Sequence, residues 1–210
     1  MRMYRLFLGL ASLGFASTVS ATPITYHVTV NTSSISGTDG SFDLNFNPGP
    51  LVTQTASIQV LNFMSNGSLA GNPQVAGDVS GGPLPAPLTV DNGTGFNDYF
   101  EGFTFGSTLA FDIELFGPAL TSPNGTATSG STFAFSMFSD SAGTIPALTT
   151  DPKGFAFLIA VNLDGTTSVT SNSTQTNVQP VPEPDAYVLL ATAFAICGYF
   201  FLPRAQGKLK

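Results

Sequence analysis

The sequence predicts an all-β protein: an antiparallel β-sandwich of about nine strands, flanked by an N-terminal signal helix and a C-terminal single transmembrane helix. Three observations carry that expectation. Period-two alternation of apolar and polar residues recurs through the middle of the chain, turn-forming pairs separate the alternating stretches, and the long apolar runs stand at the two ends. The composition agrees. The chain has 22 Gly and 15 Pro, 42% hydrophobic residues and 19 Phe without any Trp. That is enough apolar material to bury a core, so the chain does not read as disordered. Only 9% of it is charged, against about a quarter in an ordinary soluble domain.

The first element is the signal. Arg2 and Arg5 precede an apolar stretch over residues 6–19, and Val19-Ser20-Ala21 follows with small residues around a cut after Ala21. A positive start, a short apolar run and small residues at Val19 and Ala21 together form a secretory signal, with signal peptidase as the implied partner. Gly9, Ser12, Gly14 and Ser17 interrupt the run, which argues against a permanent anchor. Residues 1–21 are therefore assigned to the signal and 22–174 to the sandwich.

Within the sandwich the clearest strands alternate through Phe42, Leu44 and Phe46, then Leu109, Phe111, Ile113 and Leu115. Phe133, Phe135 and Met137 form another, and Phe155, Phe157, Ile159 and Val161 the last. Such alternation buries one face of an antiparallel strand, so Phe111, Phe133, Phe135, Phe155 and Phe157 are expected inside. Weaker strands are expected at 24–30, 56–63, 88–90, 99–105 and 166–170. Turns are expected at Asp39-Gly40, Asn47-Pro48-Gly49, Asn66-Gly67, Asp91-Asn92-Gly93, Pro123-Asn124-Gly125 and Asp164-Gly165. The Pro- and Gly-rich stretch 71–87 reads as a long exposed loop, and 175–180 as a linker.

Residues 181–210 form the last unit. Val181-Pro182-Glu183-Pro184 precedes an apolar run over 186–202 and a tail carrying Arg204, Lys208 and Lys210. As a helix the run would be about 26 Å long, enough to cross a thin bilayer. The basic tail would stay on the cytoplasmic side and leave the body outside. Pro182 and Pro184 cannot continue a helix, so the strip before the span is extended and accessible. A plain tail anchor that is never cut is the alternative.

This arrangement resembles the PEP-CTERM sorting signal of Gram-negative bacteria, over about the last 30 residues. The likeness lies in Pro182-Glu183-Pro184, the single span and the basic end with Arg204 just beyond it; the spread-out tail departs from a tight Arg cluster. The resemblance implies that an exosortase, a membrane-embedded cysteine protease or transpeptidase, processes the chain. The mature protein would then pass from a transient inner-membrane anchor to the cell surface or extracellular matrix. The body is also similar to PEP-CTERM proteins whose mature region opens with a phrase like Phe42-Asp43-Leu44-Asn45-Phe46-Asn47-Pro48-Gly49, which implies a β-rich surface domain and no assigned activity.

Charge and residue types narrow the chemistry. Residues 22–180 hold eleven of the thirteen acidic residues and one basic residue, Lys153. Such a body repels nucleic acid. The one cysteine, Cys197, lies in the C-terminal run, so the body can form neither a disulfide nor a zinc-thiolate site. His27 is the only histidine, and nucleophile–base sets cannot be assembled without partners. No enzyme activity and no cofactor are expected. The alternatives are a carboxylate-based hydrolase using Asp112 and Glu114, or a carbohydrate-binding module using Tyr99 or Phe96. Extracellular polysaccharide is a candidate partner under the matrix reading too. Asp91, Asp98 and Glu101, with Asn92 and Asn97, are calcium candidates, although turn chemistry accounts for the same residues. Sequons begin at Asn31, Asn66, Asn92, Asn124 and Asn172.

Overall fold

The computed structural model describes residues 23–126, 130–182 and 194. Within them the alternating stretches pair into two antiparallel sheets. In chain order the strands are β1 (Ile24–Asn31), β2 (Asp39–Asn47), β3 (Ser57–Ser65), β4 (Ser68–Leu69), β5 (Gln74–Ala76), β6 (Val79–Gly81) and β7 (Leu88–Asp91). They continue as β8 (Asp98–Thr104), β9 (Thr108–Phe116), β10 (Ser131–Phe138), β11 (Phe155–Val161), β12 (Thr167–Ser171) and β13 (Thr176–Pro180). The first sheet runs β13-β1-β9-β3-β7-β6, and the second β12-β11-β10-β2-β8-β4, with β5 also on β8. One four-residue helix, α1 (Pro118–Thr121), and a short 3-10 turn complete the described secondary structure.

The sheets meet through phenylalanine. Phe111 of the first sheet lies 5.2 Å, centroid to centroid, from Phe135 of the second, and Phe63 lies 5.8 Å from Phe42. Phe157 closes on Phe135 at 5.6 Å. Aliphatic side chains of both sheets, among them Val28, Ile58, Ile113 and Leu44, fill the remainder of this layer. Because side chains alternate across a strand, the same strands turn a polar row outward: Thr25, His27, Asp112, Glu114 and Gln59 on the first sheet, and Asp43, Asn45 and Thr132 on the second.

All nine expected strand regions are present, but the described strands number thirteen. The stretch 71–87 contributes β5 and β6 rather than a bare loop. Residues 175–180 are not a free linker: β13 pairs with β1 from Tyr26↔Pro180 to Val30↔Thr176, and the Gln175 carbonyl accepts from Asn31 N–H at 2.9 Å. Asp39-Gly40 opens β2 instead of making a turn. A Cβ on Gly40 would sit 2.3 Å from the Phe138 carbonyl oxygen, so glycine there permits close packing. Phe111, Phe133, Phe135 and Phe157 are buried as expected, whereas Phe155 is only half-buried. A bulge is the reason: Phe157 pairs with Phe135 and Phe155 with Ser136, so the extra residue, Ala156, takes the inward position.

The expected signal helix and transmembrane helix both fall outside the described residues, Phe194 apart. Among the described residues no helix is long and apolar enough to cross a membrane.

Candidate functional site

The two ends of the domain leave it side by side. Antiparallel pairing of β1 with β13 puts Ile24, just after the expected signal cleavage, next to the exit at Pro180. Val181 continues this pairing, donating its N–H to the Thr25 carbonyl at 2.8 Å. Val181 and Pro182 are exposed, so the expected processing strip starts on the edge of the first sheet without an intervening tether. Glu183, Pro184, Arg204, Lys208, Lys210, Val19 and Ala21 lie outside the described residues.

The calcium candidates do not converge. Asp91 projects from the outer face of the first sheet, where it accepts from the Ser57 hydroxyl. Asp98 and Glu101 both belong to β8, but three residues apart on a strand means opposite faces. Asp98 points outward from the second sheet, and Glu101 points into the protein, 1% exposed. Asn92 and Asn97 are structural. Asn92 accepts from Ala56 N–H at 2.9 Å and donates to the Gln54 carbonyl at 3.1 Å and the Ser131 hydroxyl at 2.8 Å. Asn97 donates to the Phe46 and Thr94 carbonyls and accepts from Asp78 N–H. Among the described residues no three His, Cys, Asp or Glu side chains gather around one point.

Glu101 is held by its neighbours. The Tyr99 hydroxyl donates to Glu101 Oε2 at 2.5 Å and Gly71 N–H to Oε1 at 2.9 Å, while Leu84 N–H donates to the same Tyr99 oxygen at 3.1 Å. These bonds fasten segment 70–87 to the end of the sandwich. They also remove Tyr99 from the surface: it is fully buried rather than an exposed ring. Burial first, and then the bond to Glu101, push its phenol above the ordinary value. Phe96 does stand open, 58% exposed.

Asp112 and Glu114 share the outer face of β9, as alternation requires. Asp112 accepts from Asn62 Nδ2 at 2.7 Å, and its other oxygen lies 2.6 Å from His27 Nδ1 on β1. Asn62 reaches it because a bulge in β3 places that residue in the left-handed region, φ 53°, which asparagine tolerates better than most residues. Burial alone would raise the Asp112 carboxyl, but the bonds from Asn62 and His27, with the His27 charge, hold it below the usual carboxylate value.

A second carboxyl pair was not legible in the sequence. On the outer face of the second sheet Asp43 and Asp98 are diagonal neighbours on adjacent strands. Burial first, and then the neighbouring Asp98 carboxyl, push the Asp43 carboxyl up to about 9, against a weaker opposing bond from Asn45.

A shallow groove of about 680 Å³ runs beside the end of β12, lined by Leu148, Thr149, Thr150, Asn172, Thr174 and Gln175 among others. Leu148 apart, its side chains are hydroxyl and amide, without charge and without an aromatic ring. No protein-family model, no curated protein and no solved structure matches this chain.

Proposed function

We propose that the chain is an exported, non-enzymatic surface or extracellular-matrix protein, handled by signal peptidase at its front and by an exosortase-type membrane protease at its back. The PEP-CTERM resemblance of residues 181–210 suggests this reading. The geometry of the exit carries it: the last described strand delivers Val181 and Pro182, exposed and extended, at the same end of the sheet where the mature chain begins. A span over 186–202, with Arg204, Lys208 and Lys210 retained inside by the cost of moving charge across a bilayer, would hold that end of the sandwich against the membrane. The processing strip then lies within reach of an enzyme embedded there. The body needs no activity for this role, and it carries one histidine, one lysine and no cysteine within residues 22–180.

The test is the triple change Pro182→Ala, Glu183→Ala, Pro184→Ala, followed by fractionation of the native host. Export should persist while the protein stays in the membrane fraction. Release to the surface at the wild-type rate would defeat the proposal and leave a cut elsewhere, and a wild-type protein that itself stays in the membrane would leave a plain tail anchor.

One observation favours a second reading, a carbohydrate-binding module. The groove beside β12 is neutral on an otherwise acidic body, and hydroxyl and amide groups suit a neutral polysaccharide. Among the described residues, however, Phe96 is the one ring of the domain that stands open, so no row of stacking platforms supports it. Retention of the released protein on an immobilised host polysaccharide column, and loss of retention with Asn172→Ala, would promote this reading over the first.

A further inference from the structure

We propose that β12 is a docking edge for a second copy of this chain, and that two copies join antiparallel through it about a two-fold axis. This goes beyond the sorting reading and does not rest on it. A sheet edge carries unpaired N–H and C=O groups, and folded proteins blunt it with proline, with charge or by keeping it short. Three of the four edges here are blunted. β4 and β5, which border β8, are two and three residues long, and β6 is three residues long and ends at Gly81, before Gly82-Pro83. On β13 the bonds from Asn31 N–H to the Gln175 carbonyl and from Val181 N–H to the Thr25 carbonyl fix the ladder, so Thr176, Val178 and Pro180 face the open side. Pro180 has no N–H, and Thr176 N–H turns back to the Ser173 carbonyl. Val178 alone is left to donate.

β12 has none of these protections. Its residues, Thr167-Ser168-Val169-Thr170-Ser171, include no proline, no glycine and no charge. Asn162 N–H donates to the Thr166 carbonyl at 2.8 Å and Asn172 N–H to the Ala156 carbonyl at 2.9 Å. Between those two bonds the register with β11 is unbroken. Hydrogen-bonded pairs alternate along an antiparallel ladder. Ser168 and Thr170 therefore bond to β11, whereas Thr167, Val169 and Ser171 turn their N–H and C=O groups away from it. Among the described residues no backbone partner meets those outward groups. Val169 is open as well, 37% exposed, although the Ile159 it faces on β11 is fully buried.

The strand selects its own occupant. Turned end for end about Val169, it matches itself: Val169 faces Val169 of the second copy, Thr167 faces Ser171, and Ser168 faces Thr170. Every outward N–H of one copy then meets an outward C=O of the other. Facing Thr and Ser hydroxyls form a favourable cross-strand pair, and the two Val169 side chains cover each other. Charge points the same way. Residues 22–180 hold eleven acidic residues against Lys153 alone, so copies repel over most of their surface, and the uncharged β12 is where they can approach. Because the strand pairs with itself, the contact closes at two copies instead of growing a filament. One strand edge is a small contact beside a standard interface, so the dimer should be weak in dilute solution and favoured where copies crowd on one membrane.

The experiment is sedimentation velocity of the full chain in detergent over a concentration series, with disulfide trapping alongside. The wild type should pass reversibly from monomer to dimer as concentration rises. Ser168→Lys with Thr170→Lys sets like charges opposite each other across the axis and should leave only monomer. Ser168→Glu with Thr170→Lys sets opposite charges there and should restore the dimer to at least wild-type strength. Both positions are exposed, so neither variant should disturb the melting temperature of the monomer. In a Cys197→Ser background, Val169→Cys should give a cross-linked dimer on mild oxidation, since facing Cα atoms about 5.5 Å apart suit a disulfide. A wild type that stays monomeric at every concentration overturns the proposal. So does a double-lysine variant that dimerises like wild type, which would place the contact in the apolar C-terminal run or on another face.

Discussion

Replacing Phe135 with alanine should remove the side chain on which the two sheets close. Phe135 is fully buried, and its ring lies 5.2 Å from Phe111, 5.6 Å from Phe157 and 6.2 Å from Phe42. Three aromatic neighbours on rigid strands cannot collapse into the space, so the loss should fall in the upper part of the usual range, about 4 kcal/mol. For a domain of this size that corresponds to a fall in Tm of about 8–16 °C. Phe96→Ala is the control: an open ring should cost less than about 0.5 kcal/mol. Phe155→Ala separates the bulged register from simple alternation, because a half-buried ring should cost clearly less than Phe157→Ala does. The assay is denaturant unfolding followed by circular dichroism at fixed pH. If Phe135→Ala unfolds within about 0.5 kcal/mol of wild type, or if Phe155→Ala and Phe157→Ala cost the same, the packing described above is wrong.

Three further outcomes are expected. Asn92→Ala should cost about 2–3 kcal/mol in the same unfolding assay, since it strands the Ala56 N–H and the Gln54 carbonyl in a buried turn. A chain ending at Gln175 should be less stable than one ending at Pro182 by about 2 kcal/mol or more; equal stability would return 175–180 to the status of a linker. Asp112 titrates below its ordinary value in the fold, so it contributes stability at pH values above its unfolded pKa of about 3.9. That contribution is lost as pH falls through the lower folded value. The stability gap between wild type and Asp112→Asn should therefore narrow below about pH 4, and a gap that widened there would contradict the Asn62–Asp112–His27 arrangement.

The strands that bury one face announced themselves, because burial forces apolar residues onto every second position. Those that bury little did not. β13 has Val178 as its single aliphatic side chain before Pro180, and β5 and β6 are three residues each amid glycine and proline, so neither offers a period to read. Phase was harder still on β8, where Tyr99 and Phe100 place aromatics on both parities; only packing decides that Tyr99 and Glu101 face inward. Spacing in the chain misled the search for a cation site. Asp91, Asp98 and Glu101 are close in sequence yet sit on three different faces, whereas Asp43 and Ser136, far apart in sequence, become neighbours through pairing that no single strand encodes.

The central claim, export followed by cutting at the strip that begins at Val181, is tested most directly by the intact mass of the mature protein from its native host. A mass lacking residues 1–21 at the front, and ending within or just after Val181-Pro182-Glu183-Pro184, is the result expected. A mature form that still carries Arg204, Lys208 and Lys210 would contradict it.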